Sequence, residues 1–154
     1  MARIIDLACA IANVHHHYHE IHGALFGAAS FHLIIDALFG RRRHAYREFS
    51  NTLEKLHAEL RALQAQLADL EQDEPARGTE RELRPMLLEY TRALGAAIAE
   101  LRNIFLNLEQ DEAAYRDSAS DGRSRFTRDK LHYDHLLSEL ERLGTRLNKL
   151  FSNY

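Results

Sequence analysis

Two stretches of the chain repeat apolar residues at alternating intervals of three and four, and this heptad spacing constrains the fold more than any other feature. Such spacing places an apolar seam along one side of an α-helix, and the seam is stable only when a partner helix covers it. The sequence therefore predicts at least two long helices that pack against other helices. The seams comprise Tyr46, Phe49, Leu53, Leu56, Leu60, Leu63, Leu67 and Leu70, and then Tyr133, Leu136, Leu140, Leu143, Leu147, Leu150 and Tyr154.

A wider apolar stripe between these seams predicts a third helix. It runs from Leu83 to Leu108, and its width is typical of a helix that contacts two neighbours. Thr79 and Glu82 have the spacing of a capping box, in which the two residues bond the free N–H groups at a helix start. The chain has only two prolines, Pro75 and Pro85, so long stretches lack the residue that most often ends a helix.

Proline and glycine mark a break between helices at residues 74–78, serine, aspartate and glycine mark another at 117–124, and Gly40 marks a third. Matched segment lengths and short connections predict an all-α chain, an antiparallel up-down four-helix bundle in one domain, 1–154. An elongated coiled-coil dimer is the alternative. The predicted helical segments are 2–39, 41–73, 80–116 and 124–152.

Composition narrows the class of protein further. The chain has 154 residues, 45% apolar and 28% charged, which is typical of one folded domain. Its net charge of −3 argues against nucleic acid as a partner. Cys9 is the single cysteine, so no intramolecular disulfide forms and a reducing compartment is favoured. We expect a cytoplasmic protein, either free or associated with a membrane.

The first segment differs from the others because residues 21–35 contain no Asp, Glu, Lys or Arg. A helix that is apolar on all sides is either buried or meets lipid, and arginines directly after it favour an anionic lipid surface. A central buried helix, with the arginines paired to acids of 109–121, is the alternative, as is burial in a homo-oligomer. The sequence leaves undecided whether this segment is one helix or is broken near Gly23. The predicted membrane- or partner-binding residues are Leu25, Phe26, Phe31, Leu33, Ile34, Ile35, Leu38, Phe39, Arg41, Arg42 and Arg43.

Histidine is abundant, with ten residues in the chain and six of them within 15–32. On a helix, His15, His19 and His22 project to one side, and three imidazoles there suit zinc or another transition metal, or haem. His132 and His135 would complete such a site if their helix were adjacent. A pH-sensing role and a purely structural role are the alternatives.

The sequence contains no phosphate-binding loop, nucleophile elbow or paired-cysteine motif, and we expect no enzymatic activity. The favoured function is membrane association or perturbation, or assembly with itself or a partner, through the apolar first segment. In its arrangement alone this layout looks like the small bundle domains of cell-death and defence effectors. A metal- or haem-binding bundle is one alternative, and a coiled-coil adaptor or scaffold is another.

Overall fold

The computed structural model describes residues 2–27, 40–117 and 122–153. The described chain is all-helical and forms a helical bundle, which confirms the predicted fold class at that level. Helices α2 to α4 begin and end within one residue of the segments expected from the sequence. The helices are α1 (Ala2–Phe26), α2 (Arg42–Asp73), α3 (Glu80–Arg116) and α4 (Arg125–Ser152).

Helix α1 covers the first part of the segment 2–39 that the sequence predicts as helical. It runs through Gly23 without a break to Phe26, and residues 28–39 of the predicted segment lie outside the described residues. Its buried residues recur every three or four positions, from Ile4 to Ala24, so one face of the helix packs on the bundle. Six of the predicted membrane- or partner-binding residues lie outside the described residues, namely Phe31, Leu33, Ile34, Ile35, Leu38 and Phe39.

Helix α3 is the centre of the bundle and packs against α1, α2 and α4. Its wide apolar stripe accounts for this position, because each side of the stripe faces a different neighbour. Ile98, Leu101 and Phe105 are completely buried in it. The leucines of α2 from Leu53 to Leu70 are buried as well, and α1 packs against both α2 and α3.

A buried arginine stabilises the turn between α2 and α3. The Arg84 guanidinium donates to the carbonyl oxygens of Leu70 (3.3 Å) and Glu74 (2.5 Å) at the end of α2, and Leu70 also accepts the backbone N–H of Glu74. It also pairs with Glu80 at 2.8 Å. The capping box expected here is not formed, because Thr79 has a helical backbone conformation and its side chain makes no capping bond. Instead, Arg84 donates hydrogen bonds to the carbonyl oxygens on the other side of the turn, at the end of α2.

Candidate functional site: a groove between α1 and α4

The seam between α1 and α4 is open. Helix α4 packs on α3, and α1 packs on α2 and α3, whereas α1 and α4 reach each other only through long side chains. The gap is a groove with a volume of about 850 Å³. Pockets of roughly 300–1,000 Å³ are typical of sites for small molecules.

Small residues form much of the groove wall. Ala8 and Ala12 line it from α1, and Gly144 lines it from α4, so no bulky side chain fills the space between the two helices. Leu87 and Tyr90 of α3 form its floor. A Cβ at Gly144 would lie 3.4 Å from the Tyr90 ring, so the glycine lets α4 approach this ring closely.

The open side of the groove is apolar and exposed to solvent. Ile5 is 43% exposed although it is a large aliphatic residue, and Cys9 beside it is exposed too. Phe151 contributes an aromatic ring from the end of α4. Apolar surface that a chain leaves in contact with solvent inside a concave site marks a place where another apolar group binds.

Two tyrosines bridge the groove at the opposite end. The hydroxyls of Tyr18 in α1 and Tyr133 in α4 are hydrogen-bonded, and the Tyr133 hydroxyl lies 2.8 Å from Nδ1 of His22. Both tyrosines are almost completely buried, and burial raises the pKa of each above its usual value. Both therefore remain neutral hydroxyls, and the cluster closes this end of the groove.

The three histidines expected to share a face form a row along the groove. The ring centroids of His15 and His19 are 6.1 Å apart, and those of His19 and His22 are 5.9 Å apart. His15 and His22 are half-buried, and His19 is exposed. Burial lowers the pKa of His15 and of His22, and the neighbouring His19 lowers each further. These two imidazoles are thus held neutral.

The geometry bears on the metal hypothesis in two ways. Within the described ranges, no group of three or more His, Cys, Asp or Glu side chains has the arrangement of a metal site. His132 and His135, expected to complete the site, are exposed on α4 and do not line the groove. Metal binding at His15, His19 and His22 stays a prediction.

Because His15 and His22 are held neutral in the fold, we expect the unfolding free energy to decrease as the pH falls below about 6.5. The unfolded chain takes up protons there at the ordinary histidine pKa, whereas the folded chain takes them up only at lower pH. Urea unfolding at pH 7.5, 6.5 and 5.5 measures this as a falling midpoint. Replacing both residues with glutamine should flatten the trend, and an unchanged wild-type midpoint would contradict it.

The arginines after α1 divide into two groups. Arg42 pairs with Glu112 of α3 at 3.3 Å, and Arg47 pairs with Glu109 at 2.7 Å. These contacts match the alternative in which basic residues pair with acids of 109–121. Arg41 and Arg43 are exposed. Of the apolar residues predicted to bind a membrane or partner, Leu25 and Phe26 are half-buried against the core.

In the part of the chain that the structure describes, none of the helices is both long and apolar enough to cross a bilayer. Comparison of the chain with protein families, with curated proteins and with solved structures finds no match.

The sequence predicts that the histidines of the groove share one side of a helix, but it predicts neither the walls of the groove nor its closed end. Ala8, Ala12 and Gly144 carry one usable signal, because small residues replace large ones where a helix faces a neighbour. Tyr18 and Tyr133 carry none, since they are 115 positions apart and their contact depends on the whole fold.

Proposed function

We propose that this protein is a non-catalytic binding module that holds one long alkyl chain, such as that of a lipid monomer, in the groove between α1 and α4. The shape of the groove carries the proposal. Its α1 wall extends from Ile5 to His22, and a rise of 1.5 Å per residue makes this about 25 Å. A volume of about 850 Å³ spread over that length makes the groove longer than it is wide.

Two kinds of occupant suit a long apolar groove. An α-helix with its side chains is about 10–12 Å in diameter, so it lays only one apolar face on such a groove. An extended alkyl chain is thinner and lies within it. The end closed by Tyr18 and Tyr133 also favours a ligand that ends inside the groove over a helix that passes through it.

Contacts between helix ends support an antiparallel up-down order, which we include in the proposal. Arg47 near the start of α2 pairs with Glu109 near the end of α3. Tyr115 near the end of α3 donates to Asp129 near the start of α4 at 2.5 Å. With that order, α1 and α4 run in opposite directions along the groove and form its two continuous walls.

Of the partners that the sequence predicts, membrane lipid or a protein, the proposal keeps lipid and assigns it to a different contact. The sequence points to residues 25–43, whereas the groove is lined by residues of α1, α3 and α4 that precede or follow that range. Membrane perturbation, self-assembly, metal or haem binding and a scaffold role stay predictions, and no contact of the described residues favours one of them over alkyl-chain binding.

A chain-length series tests the proposal. Purified, delipidated protein is titrated by calorimetry with octanol, decanol, dodecanol and tetradecanol. Each buried methylene contributes about 0.8 kcal/mol, so the affinity should rise roughly fourfold per added carbon until the chain fills the groove, and then level off. Affinity that does not depend on length, or no saturable binding, would contradict the proposal. Binding of an amphipathic helical peptide without binding of any alcohol would assign the groove to a protein partner.

A further inference from the structure

The closed end of the groove fixes the position of two protons. The Tyr18 side chain is 1% exposed, and Tyr133 provides its only hydrogen-bond partner among the described residues. A buried O–H donor without an acceptor destabilises a fold, because its lost bond to water is not replaced. The Tyr18 hydroxyl therefore donates to the Tyr133 oxygen, since no other acceptor lies within reach.

Tyr133 has one proton to donate, and its remaining neighbour is Nδ1 of His22 at 2.8 Å. Nδ1 accordingly accepts this bond. A neutral imidazole carries a single proton, so His22 must carry it on Nε2. The reverse direction would leave the buried Tyr18 hydroxyl with no acceptor. His22 Nε2 is thus left as an N–H donor at the groove, for which no residue of 2–27, 40–117 or 122–153 serves as acceptor, beside the N–H groups of His15, His19 and Asn148 that also line it.

The charges along the groove do not favour an anionic head. Lys130 and Asp134 of α4 influence His22 but pair with each other at 2.9 Å. Glu141 lines the groove, and its carboxylate has no cation partner in the described chain. An anionic head would therefore lie in the same groove as an uncompensated negative charge. A cationic head without an acceptor atom would leave the Nε2–H group unused.

We propose that the lipid in the groove carries an uncharged oxygen head, such as a hydroxyl, ester or ketone, which accepts a hydrogen bond from His22 Nε2–H. Its alkyl chain extends from there toward Ile5 and Phe151. This inference rests on the proposed function and adds to it the chemical class and the orientation of the ligand.

Four ligands with one alkyl chain and different heads test the inference at pH 7.5, below their micelle-forming concentrations. They are dodecanol, dodecyl acetate, dodecanesulfonate and dodecyltrimethylammonium. We expect the alcohol and the ester to bind at least about tenfold more tightly than either ion, because one hydrogen bond and the avoided burial of an ion exceed about 1.4 kcal/mol. Tightest binding of either ion, or equal binding of all four, would overturn the inference and leave the proposed function standing. No binding of any ligand would contradict the proposed function itself.

Variants of His22 separate the hydrogen bond from the shape of the groove. His22→Phe keeps a ring but removes the donor, and it should weaken dodecanol binding about tenfold. His22→Gln keeps an N–H donor and an acceptor and should recover most of that loss. His135→Phe is the matched control, since His135 is exposed on α4 outside the groove. Equal affinity in His22→Phe and the control would overturn the role of His22.

The tautomer has a readout that needs no ligand. Long-range proton–nitrogen correlation spectra distinguish a protonated ring nitrogen from an unprotonated one. We expect the His22 ring to show a protonated Nε2 and an unprotonated Nδ1 at pH 7.5. The opposite assignment would overturn the inference, because the ring would then donate to Tyr133 and no longer offer Nε2–H to a ligand.

Discussion

Ala12→Phe is expected to weaken dodecanol binding about a hundredfold. Ala12 lies on the α1 wall of the groove with its methyl group exposed, and a phenyl ring there would occupy space that the ligand fills. If the ring displaces about four methylenes of the ligand, the loss is about 3 kcal/mol, which corresponds to a factor of about one hundred. Calorimetric titration of the variant measures the effect.

The neighbouring residue provides the control for this prediction. Asn13 is exposed on the same helix and does not line the groove, so Asn13→Phe adds the same ring outside the site. Both variants lose about 0.5 kcal/mol of helix propensity at most, and circular dichroism should show two folded proteins. Wild-type affinity in Ala12→Phe, or an equal loss in the two variants, would contradict a ligand lying in the groove.

The helices could be predicted because their signals are local. The seam of α2 and the wide stripe of α3 repeat over many turns, and Ser124 at the start of α4 accepts a bond from the Thr127 amide as a helix cap does. The central place of α3 follows from the width of its stripe. Thr79 shows the limit of such signals, since its spacing to Glu82 is right but its backbone is helical and no cap forms.

The groove could not be predicted because it depends on the distance between two helices that the chain joins only through α2 and α3. Ala8 and Ala12 are residues that usually permit close helix packing, which would have closed the seam. Instead the side chains of Tyr18 and Tyr133 meet end to end between α1 and α4 and keep these helices apart. A sequence pattern describes which side of a helix is apolar, but not how far away the next helix lies.

The histidine row shows the same division between local and long-range information. Helical spacing places His15, His19 and His22 on one side of α1, and the structure places their rings in sequence along the groove. Their chemistry depends on other elements. The protonation of the two His22 ring nitrogens depends on the hydrogen bond with Tyr133 of α4. The ring centroid of His15 lies 6.3 Å from that of Tyr90 in α3.

The two tyrosines at the closed end of the groove should show strong coupling in their stability. Tyr133→Phe removes the acceptor of the buried Tyr18 hydroxyl and the donor to His22, so we expect it to lower the free energy of unfolding by about 3 kcal/mol. Tyr18→Phe leaves the bond from Tyr133 to His22 intact and should cost only about 1 kcal/mol. Urea unfolding followed by circular dichroism measures both values.

The double variant decides whether these losses arise from the hydrogen-bond chain. With Tyr18→Phe and Tyr133→Phe together, no buried hydroxyl is left unpaired, and half-buried His22 can still bond to water through Nδ1. Adding Tyr18→Phe to Tyr133→Phe should therefore restore about 1–2 kcal/mol, although it removes a second polar group. If the two losses simply add, the Tyr18 hydroxyl does not donate to Tyr133, and the proton assignment that follows from it fails for His22 as well.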